Sequence, residues 1–311
     1  MTIPMKDFMD KVPGGVIIVP LLFGCGLNTF CPELLQIGSF TTGIATGSSA
    51  LMGVLFLCLG AQLDIRCAPQ ALKTGASLVI AKLGVAALLG WFAGHFFGDN
   101  LFGLSMLAII AAVSNSNGAM YATMTATYGT ESDRGAMAIV SMNDGPFLTM
   151  VVMGASGSAD IPYISLVAAL IPLIIGIIIG NLDPKMRKLF TDGTTMIILM
   201  VAFAVGCTMH FQQIIDGGLS GIILGLSALL IGGIVCIMTD KLTGGSGVAG
   251  AAISSVAANA VATPAAVAAV DAAFLPIVGV ATAQIAAASV VTCLLTPFLV
   301  TYVVKKNEKK I

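Results

Sequence analysis

The stretch SNSNG, residues 114–118, lies in the middle of an otherwise apolar segment that runs from 101 to 128. A second apolar segment, 246–271, carries SSVAAN at 254–259, and Thr263 and Pro264 follow shortly after. Ser, Asn, Gly and Pro are poor helix formers, and in both segments they cluster near the midpoint. Each segment therefore predicts a helix that is interrupted halfway along its length.

The composition around these two segments is that of a membrane protein. Of the 311 residues, 57% are hydrophobic and only 9% are charged, and the mean hydropathy is +1.01. Soluble domains carry about 25% charged residues, so most of this surface must face lipid. The net charge of −1 does not indicate a nucleic-acid partner. Segment 1–11 lacks the cleavage site of a removable signal peptide, so the first span is expected to act as the insertion signal.

Hydropathy and loop signals predict an all-α integral membrane protein with ten spans. Every Lys and Arg except Lys82 lies before span 1, after span 10 or in an even-numbered loop, whereas the charges of the odd-numbered loops are acidic. Because positively charged loops stay in the cytoplasm, both termini are predicted to be cytoplasmic. The predicted spans are 13–30, 43–63, 74–92, 101–128, 135–155, 162–180, 190–209, 217–238, 246–271 and 279–303.

The two halves of the chain resemble each other. VPLLFG at 19–24 is echoed by IPLIIG at 171–176, and GAQLD at 60–64 corresponds to GCTMH at 206–210. We therefore divide the chain into a first five-span repeat, 1–157, and a second, 158–311. Because five is odd, the second repeat must cross the membrane in the opposite sense, an arrangement common among secondary transporters.

The paired interruptions predict a binding site for a small organic anion. Interrupted helices in corresponding positions of two repeats are a strong sequence indicator of a transporter site. The freed backbone groups cannot be satisfied by lipid, and half-helix N-termini suit a carboxylate. The alternative is that small polar residues only allow close helix packing. The predicted binding residues are Ser114, Asn115, Ser116, Asn117, Ser254, Ser255, Asn259 and Thr263.

Two charged residues and one amide are candidates for ion coupling. Lys82 lies in the middle of span 3 and Asp144 in the middle of span 5. A charge at mid-membrane costs ~2.5–3.5 kcal/mol, so each should face the protein interior. They predict either a proton relay or a fixed ion pair, and Gln284 in span 10 predicts ion coordination or a buried hydrogen bond.

Motifs of enzymes, metal sites and nucleotide-driven pumps are absent from the sequence. His95 and His210 are the only histidines, and H-E-x-x-H, G-x-S-x-G and C-x-x-C do not occur. Without a P-loop, energy must come from an ion gradient or a partner subunit. We therefore expect neither an enzyme nor a cofactor or metal centre. A channel is disfavoured because duplicated broken helices indicate alternating access.

Several stretches together resemble the 2-keto-3-deoxygluconate permease family over nearly the whole chain. They are VPGG at 12–15 through LNT at 27–29, GAQLD at 60–64, SNGAMYA at 116–122, YGT at 128–130 and DGP at 144–146.

The resemblance implies proton-coupled uptake of 2-keto-3-deoxygluconate, a small sugar acid, across the bacterial inner membrane. It also implies the fold of the bile-acid/sodium symporter-like superfamily. In that fold, helices 1, 2, 6 and 7 form a panel, and helices 3–5 and 8–10 form a core in which the unwound helices 4 and 9 cross. Coupling to sodium through Asn259 and Gln284 is the alternative within the same fold. The oligomeric state stays open.

Overall fold

The computed structural model describes residues 4–11, 15–62, 69–143, 145–159, 163–208 and 210–308. Within these ranges every regular element is helical, and the only β-type pairing is an isolated bridge between Leu101 and Leu104. In chain order the α-helices are α1 (Met5–Lys11), α2 (Gly15–Phe30), α3 (Pro32–Leu35), α4 (Ser39–Thr46), α5 (Ser48–Gln62), α6 (Pro69–Phe97), α7 (Met106–Ser114), α8 (Gly118–Tyr128), α9 (Glu131–Gly135), α10 (Met137–Val140), α11 (Pro146–Ala155), α12 (Tyr163–Leu182), α13 (Pro184–Gly206), α14 (Phe211–Ser227), α15 (Gly233–Leu242), α16 (Val248–Ala252), α17 (Thr263–Ala268) and α18 (Val278–Glu308).

Short segments of other helical types join some of these helices. A π-helical segment, Ala228–Gly232, connects α14 to α15. The 3-10 segments in the described chain are Ser141–Asn143, Ala258–Ala262 and Ala272–Ile277.

Several helices are long and apolar enough to cross a membrane. By length and composition, four stretches of the described chain qualify: Pro69–Phe97, Pro184–Gly206, Gly217–Leu242 and Ala272–Glu308. A fifth arises if Ser39–Thr46 and Ala50–Gln62, which meet at 61°, form one bent span. The other predicted spans do not meet this criterion in the described chain, so the count of ten spans stays a prediction.

The helices of predicted spans 4 and 9 end where the sequence places their interruptions. Span 4 consists of α7 and α8, separated by Asn115–Asn117, and span 9 consists of α16, the 3-10 segment and α17. Span 5 is also interrupted, in contrast to the continuous helix predicted from the sequence. There α10 passes into the 3-10 segment Ser141–Asn143, and α11 begins only at Pro146, directly after Gly145 with its φ of +146°.

Glycines let α2 contact α13 and α5 contact α12 at backbone distance. A Cβ added at Gly24 would lie 2.4 Å from the carbonyl oxygen of Phe203, and one at Gly176 would lie 2.2 Å from that of Leu57. No real Cβ approaches a backbone oxygen so closely. Both helix pairs therefore depend on glycine.

The two glycine contacts are equivalent under the repeat proposed from the sequence. A Cβ at Gly206 would lie 2.1 Å from the carbonyl oxygen of Leu21, and one at Gly60 would lie 2.1 Å from that of Leu173. The sequence match pairs Gly60 with Gly206 and Leu21 with Leu173. The same contact thus occurs once between α2 and α13 and once between α12 and α5.

The interrupted helices lie at the centre of the molecule. Residues 107–116 and 247–257 are buried throughout. They are enclosed by α6, which contacts α7 and α15, and by α18, which contacts α14 and α16. Polar side chains in these two segments are therefore shielded from solvent and lipid by other helices.

Candidate functional site

The two interruptions touch each other. Asn115 and Asn117 have extended backbone conformations, with ψ of 150° and 99°, as does Ala257 in the second interruption, with ψ of 140°. The N–H of Asn117 donates a hydrogen bond to the carbonyl oxygen of Ser255, at 3.3 Å. Backbone groups freed by one interruption are thus satisfied partly by the other.

Lys82 connects α6 to this contact between the two interruptions. Its side chain is only 1% exposed, and its Nζ donates to the carbonyl oxygens of Ile253, at 2.5 Å, and of Ser255, at 2.9 Å. The Ser255 oxygen therefore accepts from both Lys82 and the Asn117 backbone. The sequence suggested that Lys82 pairs with Asp144 or relays protons, and these carbonyl partners were not anticipated.

Ser114 and Asn115 fasten the first interruption to the interruption of span 5. The Asn115 Oδ1 accepts from the N–H of Gly145 at 2.9 Å, and its Nδ2 donates to the Gly145 carbonyl oxygen at 3.3 Å. The Ser114 and Thr149 hydroxyls lie 2.6 Å apart. These side chains satisfy neighbouring protein groups.

Asn143 continues this network on its other side. The Asn143 Nδ2 donates to the carbonyl oxygen of Ser114 and, at 2.9 Å, to the hydroxyl of Ser116. The backbone carbonyl oxygen of Asn143 accepts from the Ser116 N–H at 3.2 Å. The Asn117 Oδ1 caps α8 by accepting from the N–H of Met120 at 3.0 Å. Asn143 belongs to this site although sequence reasoning missed it; its position beside Asp144 was the available signal.

The polar side chains of the second interruption divide into two groups. The hydroxyls of Ser254 and Ser255 donate back to carbonyl oxygens of the preceding turn. The Asn259 Oδ1 and the Thr263 Oγ1, in contrast, are buried and have no hydrogen-bond partner among the described residues. Because burying an unsatisfied polar group costs about 1–3 kcal/mol, these two atoms are candidates for hydrogen bonds to a ligand.

Asn259 borders a narrow gap between the interrupted helix and its neighbours. The gap is too narrow for a water molecule. Its other lining residues are apolar and come from α5, α13 and the 3-10 segment: Leu55, Ile198, Val201, Ala202, Val261 and Ala262.

The remaining two coupling candidates lie apart from this arrangement or outside the described residues. The Gln284 Nε2 donates to the carbonyl oxygen of Gly103 at 2.7 Å, which ties it to the segment before α7, and its Oε1 is buried without a partner in the described chain. Asp144 is not among the described residues; both its neighbours, Asn143 and Gly145, contact the first interruption.

Asp240 on α15 is a buried carboxylate that sequence reasoning overlooked, since it stands beside Lys241 at the end of a span. It is 0% exposed, and its Oδ2 accepts from the N–H groups of Gly247, at 2.9 Å, and Gly250, at 3.2 Å. A Cβ at Gly245 would lie 1.9 Å from its Oδ1, so the turn closes tightly over it. The glycine-rich stretch 244–250 after an acidic residue was the available signal.

Asp240→Ala is expected to lower the apparent melting temperature of the detergent-purified protein by several degrees. The substitution leaves two buried N–H groups without an acceptor, at a cost of about 1–3 kcal/mol each. The control is Asp192→Ala, which removes an exposed i,i+4 pair with Lys188 and should change little. Equal melting temperatures for the two variants would contradict a structural role for Asp240.

No group of three or more His, Cys, Asp or Glu side chains could hold a metal ion in the described part of the chain. Apolar helices of membrane length, enclosing polar interruptions at the molecular centre, define a multi-pass helical membrane protein. The family model for 2-keto-3-deoxygluconate permease matches residues 6–309. This chain belongs to the 2-keto-3-deoxygluconate permease family.

Similar proteins match over nearly their full lengths. 2-keto-3-deoxygluconate permease 1 of Salmonella typhimurium is 46% identical over 308 residues, covering 98% of this chain and 97% of the relative. The Bacillus subtilis permease is 40% identical, with coverage of 98% and 95%, and that of Pectobacterium atrosepticum is 38% identical, with coverage of 98% and 99%. The family resemblance seen in the sequence is therefore confirmed.

Proposed function

We propose that this protein is a secondary transporter that imports 2-keto-3-deoxygluconate, or a closely similar sugar acid, together with protons. The names of its relatives supply the substrate class. The observation that supports the site is the pair of buried, unpartnered oxygens on Asn259 and Thr263. A sugar acid offers hydroxyl donors for both atoms.

The eight predicted binding residues take two roles in this proposal. Asn259 and Thr263 contact the substrate, together with the Nδ2 of Asn117, whose Oδ1 caps the start of α8. The others hold the backbone of the interruptions in shape, because their side chains are already engaged by neighbouring protein groups. They are Ser114, Asn115, Ser116, Ser254 and Ser255.

The proposed transport cycle is alternating access between two inverted repeats, 1–157 and 158–311. Spans 1, 2, 6 and 7 form a panel, and the other spans form a core that moves against it. The reciprocal glycine contacts of α2 with α13 and α12 with α5 support this grouping. The gap beside Asn259, lined from α5 and α13, lies where panel and core would separate. The protein lies in the bacterial inner membrane, and both of its termini face the cytoplasm.

Protons are preferred over sodium because of the partners of Lys82. A sodium site at the second interruption would need its freed carbonyl oxygens, and those of Ile253 and Ser255 accept from the Lys82 Nζ. The occupied Ile253 and Ser255 oxygens do not favour an oxygen cage for sodium at the second interruption.

The test is uptake of 2-keto-3-deoxygluconate into proteoliposomes under an inward proton gradient or an inward sodium gradient. Accumulation above the external concentration is expected with protons alone. Accumulation only with sodium would overturn the coupling, and the absence of accumulation under both gradients would overturn the transport proposal. Empty liposomes and Asn259→Ala serve as controls.

Asp144→Asn is expected to abolish uphill uptake while leaving part of the exchange between internal and external substrate. We assign the coupling proton to this carboxylate, which lies in the middle of span 5 in the sequence. An amide of the same shape cannot take up a proton, so the variant should lose coupling. The measurement compares gradient-driven uptake with counterflow in the same proteoliposomes. Unchanged accumulation would remove Asp144 from the coupling role.

A further inference from the structure

We infer that the Lys82 ammonium is a built-in cation, filling a site formed by the carbonyl oxygens of Ile253 and Ser255 that would otherwise take a small monovalent cation. This inference extends the proposed proton coupling, and its significance for transport rests on that proposal. Its test does not depend on transport.

The site exists because the second interruption frees backbone carbonyls. α16 ends at Ala252, and the next regular element begins at Ala258. The carbonyl oxygens of Ile253 and Ser255, two residues apart, converge on one Nζ at 2.5 and 2.9 Å. Carbonyl oxygens are ligands that hard cations and ammonium groups share, so the same oxygens could serve either.

The surroundings favour a positive charge held in place by the protein. Lys82 is 1% exposed, and a buried charge needs partners that satisfy it. The Ile253 oxygen belongs to the residue that directly follows α16, and Ser255 lies two residues further along, between α16 and the next helical segment.

The Ser255 oxygen makes this cation important for both interruptions. It accepts from Lys82 and from the N–H of Asn117, so the charge polarises an acceptor that also holds the first interruption. Removing the ammonium leaves the Ile253 oxygen without its Lys82 donor and weakens the contact between the two interruptions. An external cation that occupies the vacated space would restore both.

The experiment measures melting temperatures of purified protein in chloride salts of sodium, potassium, ammonium or choline at equal ionic strength. Choline is too large for the vacated space and provides the baseline. Wild-type protein should melt at the same temperature in all four salts. Lys82→Ala should melt lower in choline and regain about 3 °C or more in sodium or ammonium, as expected for a ligand that binds only the folded state.

Two further variants make the result decisive. Lys82→Ser supplies a hydroxyl as an additional ligand and is read in the same way, and Lys188→Ala, which removes an exposed lysine, should respond to none of the salts. Stabilisation of the wild type by sodium would overturn the inference. So would folded Lys82 variants that ignore all cations, or variants that fail to fold in every salt, because an added cation should restore the junction.

The outcome is separable from that of the uptake assay. If wild-type protein accumulates no sugar acid but the Lys82 variants acquire a cation response, the transport proposal fails and the built-in cation stands. If uptake is proton-driven but the variants show no cation response, the transport proposal stands and the built-in cation is wrong.

Discussion

Uptake of 2-keto-3-deoxygluconate by Asn259→Ala is expected to fall about 10- to 100-fold, while the melting temperature of the purified protein stays unchanged. The Asn259 Oδ1 has no hydrogen-bond partner in the described chain, so removing it breaks no bond recorded for the folded protein. One or two hydrogen bonds to substrate contribute about 1.5–3 kcal/mol, and about 1.4 kcal/mol corresponds to tenfold in binding. The measurement is initial uptake rate at several substrate concentrations, together with a thermal melt.

Asn115→Ala is the matched control and should behave in the opposite way. Asn115 also lies in an interrupted helix, but its amide bonds to the N–H and the carbonyl oxygen of Gly145. Its loss should lower the melting temperature by several degrees. If Asn259→Ala transports at the wild-type rate, the proposed substrate site is wrong. If it instead melts like Asn115→Ala, Asn259 is structural.

Gly176→Ala is expected to destabilise the protein strongly, lowering the apparent melting temperature by about 5 °C or more. The added Cβ would lie 2.2 Å from the carbonyl oxygen of Leu57 and 2.8 Å from the amide nitrogen of Ala61. Because both atoms belong to the backbone, α12 and α5 must move apart, and overpacking of this kind costs about 1–3 kcal/mol or more. The measurement is a thermal melt in detergent with the yield of monodisperse protein.

Two comparisons make the Gly176 result specific. Gly53→Ala places a methyl group on α5 where nothing lies within 4 Å, and alanine favours a helix over glycine, so no loss is expected. Gly24→Ala alters the equivalent contact of the other repeat, 2.4 Å from the carbonyl oxygen of Phe203, and should resemble Gly176→Ala. An unchanged melting temperature for Gly176→Ala would contradict the close approach of α12 and α5. Unequal effects of Gly24→Ala and Gly176→Ala would count against the structural repeat.

The positions of the helix interruptions could be predicted because they depend on local backbone preferences. Asn115–Asn117 separate α7 from α8 within the predicted stretch 114–118. The interruption of span 5 was not predicted, because the apolar residues on both sides of Gly145 and Pro146 indicate one continuous span. The Gly145-Pro146 pair was the local signal for a helix start. In the structure Pro146 lies in the first turn of α11, and Gly145 before it has a φ of +146°.

The roles of individual polar residues could not be predicted in the same way, because they depend on tertiary partners. Asn115 and Asn259 look alike in sequence, yet one amide is fully engaged and the other has an unpartnered oxygen. The partners of Lys82 lie 171 and 173 residues away, and no local pattern indicates them. Membership of the family was recognisable from scattered motifs, since these cover nearly the whole chain.

The closed gap beside Asn259 has a consequence for the energetics of the host cell. With no space for even one water molecule between the 3-10 segment and the side chains of α5 and α13, no hydrogen-bonded water chain can pass through the gap in this conformation. Under the proposed proton coupling, a carrier closed at this gap would not leak protons through it. The proton gradient proposed to drive import would then be used only when a sugar acid opens the gap.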